Sequence, residues 1–238
     1  NHSAMGGQAN TNSTFGSSNF KGAVQSLVSA NTDAGFSIVK VSNLNSNSFG
    51  HGLNGTPDLV ISKRTDNTAN WRVYYTGITS GNSLFLNTTA GSSSEGSRIG
   101  STDATTVTAV GSANGGNAGT GTSINYCFQS ITGYSKFGSY TGNGNADGTF
   151  VYTGFKPAFV IYKGATGANA TDNWEMADNK RSPYNGIENV LYPNRNNAEG
   201  TGVTTRMDFL SNGFKMRTTG TDYNGSGQTY IYMAFGQS

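Results

Sequence analysis

Two stretches of this chain repeat each other, and that repeat constrains the fold more than any other feature. Thr122-Ser-Ile-Asn-Tyr-Cys-Phe128 aligns with Thr229-Tyr-Ile-Tyr-Met-Ala-Phe235 at an offset of 107, without a gap back to Val107 against Phe214. Asn117-Ala-Gly-Thr-Gly121 matches Asn224-Gly-Ser-Gly-Gln228 within that run. Thr56-Pro-Asp-Leu-Val-Ile-Ser-Lys63 matches Lys156-Pro-Ala-Phe-Val-Ile-Tyr-Lys163 at offset 100, and Gly35-Phe-Ser37 matches Gly133-Tyr-Ser135 at offset 98. Trp71 and Trp174 share a place after the Pro-led segment. An offset that grows in steps is what results when loops lengthen and strands are kept. The repeats run over 35–132 and 133–238. Residues 8–34 precede them as linker and leading strand, with Asn10–Asn19 as linker and 23–29 as the strand. Residues 1–7, Asn-His-Ser-Ala-Met-Gly-Gly, read as a tag remnant and are set aside together with His2.

Each repeat is written as short aromatic and β-branched runs separated by Gly and Asn clusters, the pattern of strands and turns. The first predicts strands at 35–42, 57–64, 70–76, 83–87, 105–110 and 122–130. The second predicts strands at 134–141, 149–152, 157–163, 173–178, 189–192, 206–210, 213–218 and 228–236. Ile124, Tyr126 and Phe128 alternate onto one face, as do Ile231, Met233 and Phe235. Such alternation marks an antiparallel sheet with one buried and one solvated face. Asn143-Gly144 and Asn224-Gly225 are hairpin-turn chemistry. No segment has convincing helical periodicity. The expected fold is all-β: two tandem antiparallel β-sandwich, jelly-roll-like units related by internal duplication.

Charge excludes several partners. The 15 basic and 13 acidic residues leave a net charge of +2, with no cluster of Lys or Arg to attract nucleic acid. No apolar run is long enough to span a bilayer, and no signal peptide is visible. Cys127 is the one cysteine, so no disulfide forms within the chain.

Catalytic chemistry is hard to place. Outside the opening residues the one histidine is His51, and its counterpart in the second repeat is not a histidine, so it reads as a turn residue rather than a base. One Cys and one His cannot build a zinc site. A glycosidase needs two carboxylates across a cleft. The glutamates are Glu95, Glu175, Glu188 and Glu199, and none recurs in both repeats. Asn143, Asn145 and Asp147, followed by Gly148, have the ligand spacing of the first half of a calcium loop, but position twelve is Gly154 and not an acid. Calcium is therefore a weak cofactor candidate, and a plain hairpin accounts for the same residues. Other Asp/Asn pairs, Asp66-Asn67 and Asp172-Asn173, are equally weak.

The aromatics remain: Trp71, Trp174, Tyr74, Tyr75, Tyr184, Tyr192 and Tyr223. Exposed rings flanked by Asn, Asp and Arg suit sugar recognition. The two Trp recur in both repeats, which favours a core role. Tyr184, Tyr192 and Arg195 lie in a 179–202 insertion found in the second repeat alone, and such loops are where function concentrates. They are the candidate ligand-binding residues.

Assembled, these motifs resemble a domain common at the distal ends of tailed-bacteriophage virion proteins. The residues that carry the resemblance in the first repeat are Gly35–Lys40, Gly50-His-Gly-Leu53, Pro57–Lys63, Trp71 and Leu86-Asn-Thr-Thr89. In the second they are Gly133–Gly148, Phe150–Phe155, Asp178–Arg181, Asp208–Phe214 and Thr229–Phe235. The resemblance covers the chain from about residue 21. It implies a non-enzymatic, tail-fibre-like or other structural component on the exposed surface of a virion, made in the bacterial cytoplasm, and it supplies no catalytic residues. The expected partners are other virion proteins and a host-surface glycan, with homo-oligomers by analogy to fibre tips. The rivals are a purely structural decoration or fibre-assembly module and, behind it, a capsule depolymerase.

Overall fold

A computed structural model of the chain describes residues 17–79, 81–94, 96, 98–111, 120–166, 172–200 and 205–237. Residues 1–7, His2, Glu95 and the 117–119 part of the repeat lie outside them, as do 10–16 of the expected linker. The described chain forms two compact units. One takes the chain up to Leu84 together with Ser93–Ser130; the other takes Phe85–Ser92 and everything from Ile131.

The first unit carries β1 (Ser17–Asn19), β2 (Ser26–Asn31), β3 (Phe36–Ser42), β4 (Ser48–Gly50), β5 (Leu59–Arg64), β6 (Arg72–Tyr75), β7 (Asn82–Phe85), β8 (Ser93–Ser94), β9 (Arg98–Thr102), β10 (Thr106–Val110) and β11 (Thr122–Phe128). Its larger sheet runs β1-β2-β3-β11-β5-β6-β7-β8, and its smaller runs β4-β10-β9. The core lies between them, with Val39, Val41, Val60 and Cys127 from one side and Phe49, Ile99, Val107 and Ala109 from the other. Residues up to 34 thus supply two strands rather than one, and Ser17–Asn19 is sheet rather than linker.

The second unit carries β12 (Ser135–Thr141), β13 (Phe150–Tyr152), β14 (Pro157–Thr166), β15 (Glu175–Asp178), β16 (Val190–Leu191), β17 (Met207–Leu210), β18 (Gly213–Met216), a one-turn helix α1 (Thr221–Asn224) and β19 (Thr229–Gly236). Its sheets run β12-β19-β14-β15-β16 and β13-β18-β17. Val160, Tyr162, Tyr230, Tyr232 and Ala234 meet Val151, Met207, Phe209, Phe214 and Met216 in the core. The strand pairs whose register is described are antiparallel, as the alternation predicts, and one isolated bridge, Val24 to Phe49, is parallel.

Strand order recurs, and so does the register of the last strand on the Pro-led one, while its register on the leading strand is shifted by one residue in the second unit. Tyr126 of β11 sits between Ile38 and Ile61, and Met233 of β19 sits between Phe137 and Ile161. In both units the last strand in sequence slots between two earlier ones. The turn before each leading strand of the trio recurs as well: Gly35 and Gly133 both take positive φ, which costs glycine little.

The expected single buried face holds on β11 but not on β19. On β11 the buried residues are Ser123, Asn125 and Cys127, while Ile124, Tyr126 and Phe128 are half-buried on the outer face. Polar side chains are tolerated there because they satisfy one another. Ser62 Oγ donates to Asn125 Oδ1 at 2.6 Å, and Asn125 Nδ2 donates to Ser123 Oγ at 3.2 Å. On β19 the core face is Tyr230, Tyr232 and Ala234, but Ile231 and Met233 are buried too, so this strand is covered on both faces.

Part of that second cover is Phe85–Ser92. Trp174, fully buried, donates from Nε1 to Phe85 O at 2.8 Å. Lys163 Nζ donates to Thr89 O at 3.1 Å, and Ser92 N donates to Ala165 O at 2.9 Å. Burial lowers the Lys163 ammonium to about 8. The repeat boundaries read from sequence put 85–92 in the first copy; its contacts put it in the second unit. Trp71, the counterpart of Trp174, is only half-buried and stacks on Tyr126 with centroids 6.3 Å apart.

Candidate functional site

The 179–202 insertion is braced before it is exposed. Arg181 ion-pairs with Asp178 behind it and with Glu199 at 2.8 Å, which ties the start of the insertion to its end. Its Nη2 also donates to Met176 O. Ser182 Oγ accepts from Glu188 N and Asn189 N, and Asn189 Nδ2 donates to Arg181 O at 3.0 Å. Asn185 acts like a strand partner: its amide donates to Phe209 O at 3.1 Å and accepts from Phe209 N at 3.0 Å.

The product is a groove of about 320 Å³, lined by Arg181, Ser182, Tyr184, Glu188 and Asn189 among others. Tyr184 is 83% exposed at its side. The structure does not bring the three predicted residues together. Tyr192 is half-buried and packs against the core, so its ring serves the sandwich. Arg195 is exposed on a turn closed by its N–H to Tyr192 O at 3.0 Å, and neither residue lines the groove. Glu188, Asn185 and Asn189 take their places. No periodicity marks those residues, because their roles come from loop hydrogen bonds.

The calcium candidate is occupied by its own chain. Asn143 Oδ1 accepts from Asn145 N and from Asn224 Nδ2, and Asn145 Oδ1 accepts from Asp147 N. Asp147 pairs with Lys215 at 2.5 Å, with Arg217 3.7 Å away. The ammonium stands where a cation would have to sit. Asn224, buried at the end of α1, is the post on which this hairpin hangs: it also donates to Asn145 O and Thr218 O. Among the described residues no group of three His, Cys, Asp or Glu side chains could hold a metal ion.

His51 is fully buried and has both nitrogens engaged. Its Nδ1 accepts from Leu53 N at 3.1 Å, which leaves the hydrogen on Nε2 to donate to Asp103 O at 3.2 Å. Burial holds its pKa below the ordinary 6.5. Cys127 is buried, and its thiol is pushed up to about 12, which removes thiolate chemistry near neutral pH.

Residues 9–238 match a protein family described as a domain of unknown function, DUF7483. The chain belongs to that family. No curated protein and no solved structure matches it. The DUF7483 match runs through both units and includes Phe85–Ser92, the Tyr184 groove and the helix α1.

Within this DUF7483 chain one carboxyl pairing went unseen in the sequence. Asp172, at the entry to β15, is raised to about 6 by burial and then by the charge of Asp222 on α1. Glu175 is buried nearby, where it accepts from Tyr162 OH at 2.7 Å and lies 3.8 Å from Arg206 Nε. Arg206 in turn covers the Tyr223 ring at 4.3 Å.

The Asp172 pair has a pH signature. The folded pKa, about 6, lies above the ordinary 3.8, so the native state holds a proton that the unfolded chain has released. Stability therefore falls as pH rises through that window, and the penalty is complete above it. Asp172→Asn should melt with the parent near pH 3.5 and above it near pH 8, in a series of scanning-calorimetry melts across pH. Equal melting temperatures at both ends would mean that Asp172 ionises as easily in the folded chain as in the unfolded one.

Proposed function

We propose that this chain is a non-catalytic component of a phage virion, an attachment module of a tail fibre or appendage that holds host-surface glycan in the Tyr184 groove. The virion setting rests on the sequence resemblance. The groove rests on one observation: a tyrosine 83% exposed on a loop fixed at both ends by Arg181 and in its middle by Asn185. A large ring held out to solvent on a rigid support is preorganised for stacking, since little side-chain freedom is lost on contact.

The test uses fluorescently labelled protein on whole host cells, with and without periodate oxidation of their glycans. Periodate-sensitive labelling that Tyr184→Ala weakens about tenfold is the expected result. Labelling that survives periodate would point to a protein receptor, and no labelling would end the attachment reading.

A second reading has its own observation. Phe150 and Tyr152 project side by side from the edge strand β13 and are 44% and 65% exposed. Exposed aromatics on an unpaired strand edge suit assembly with another protein. If cells are not labelled but the protein co-assembles with another virion component, and Tyr152→Ser abolishes this, the purely structural role holds.

A further inference from the structure

We infer that the Tyr184 groove selects neutral, hydroxyl-rich sugars and rejects anionic ones. This rests on the attachment reading and names its ligand class. The argument is one of unmatched donors and acceptors.

The one cation lining the groove, Arg181, is compensated twice, by Asp178 and by Glu199. A ligand carboxylate or sulfate would therefore have to break an existing ion pair to gain its charge. Glu188, an exposed carboxylate on the same lining, would repel it. The rest of the lining offers neutral hydrogen-bonding groups beside the Glu188 carboxylate. One of the two Asn189 amide hydrogens is committed to Arg181 O, and its Oδ1 receives none from the described residues. Asn185 gives one amide hydrogen to Phe209 O and takes one from Phe209 N. Ser182 Oγ already receives two backbone N–H groups, so its own hydrogen is what it can offer. Glu188 meets only the Thr205 hydroxyl, at 3.4 Å, among the described residues.

A partner for this surface must bring O–H donors, at least one acceptor and an apolar face for Tyr184. A neutral pyranose has all three: equatorial hydroxyls for Glu188 and Asn189, a ring or hydroxyl oxygen for Ser182, and a C–H face for the tyrosine. The whole chain carries a net charge of +2, so bulk charge alone would predict the opposite preference.

The experiment measures binding of the full chain to immobilised glucose-, galactose-, mannose- and N-acetylhexosamine-terminated oligosaccharides, and to sialic-acid and uronic-acid oligosaccharides. Neutral glycans should bind, with affinity unchanged between about 0.05 and 0.5 M salt, where charge-driven binding would be screened away. Tyr184→Ala should weaken that binding about tenfold, the loss of one stacked ring. Glu188→Gln, whose exposed position keeps the fold intact, should weaken it severalfold, whereas Tyr152→Ala, outside the groove, should not. Circular dichroism checks that each variant is folded. Binding to anionic glycans alone leaves attachment standing and overturns this inference. So does neutral binding that neither Tyr184→Ala nor Glu188→Gln reduces. Binding to no glycan of either class overturns the attachment reading and this inference together.

Discussion

Expressed alone from residue 131, the second unit should melt more than about 20 °C below the same unit carrying residues 85–92 on a flexible linker. That segment receives the Trp174 indole N–H at Phe85 O and the Lys163 ammonium at Thr89 O, and it pairs through Ser92 with Ala165. Without it a fully buried tryptophan loses a wall, worth about 2–3 kcal/mol. Three hydrogen bonds go with it, at about 1 kcal/mol each. The sum, about 5 kcal/mol, is comparable to the whole stability of a small domain. Each kcal/mol shifts the melting point of a domain this size by about 4–8 °C. Melts followed by circular dichroism decide it. Identical curves would mean that Phe85–Ser92 is a passive loop.

The second large effect separates the two tryptophans. Trp174→Ala should cost about 4 kcal/mol in urea unfolding, because it leaves a cavity the size of an indole and strands the Phe85 carbonyl. Trp71→Ala should cost less than about 2 kcal/mol, since Trp71 is half-exposed and its stacking on Tyr126 is one ring contact at 6.3 Å. Similar losses at both sites would mean that the repeat preserves environment as well as position.

Those two residues show how far the sequence could be read. The repeat and the alternation were legible, and with them the strand set and its antiparallel sheets, because side-chain period is a local property. Which face of a strand points inward is not local. On β11 both faces could have been core, and the face of Ser123, Asn125 and Cys127 is the buried one, where Ser62 across the ladder donates to Asn125 and Asn125 donates to Ser123. On β19 Tyr230 turns inward, where its hydroxyl finds backbone: it donates to Thr221 O and accepts from Gly225 N. The short strands β4 and β9 each offer a single large apolar residue, Phe49 and Ile99, too little for a pattern. The site was legible to the extent of its loop. Tyr184 stands out as an aromatic in an insertion, but whether Tyr192 joins it or turns into the core depends on packing that its neighbours in sequence do not record. Asp172 and Asp222 are fifty residues apart, and only the docking of α1 beside β14 makes them neighbours.

The central position of β11 and β19 also sets an order of events. β3 and β5 share no ladder, nor do β12 and β14; each pair is joined only through a strand that comes later in the chain. Neither larger sheet can close until that strand arrives, so β12 and β14 each wait with a bare edge through some sixty to ninety residues of intervening chain. Pairing across such separations is slow, on the millisecond-to-second scale of β-sandwiches rather than the microseconds of helical bundles. During that interval the waiting edges are the places where a second copy can insert its own strand first.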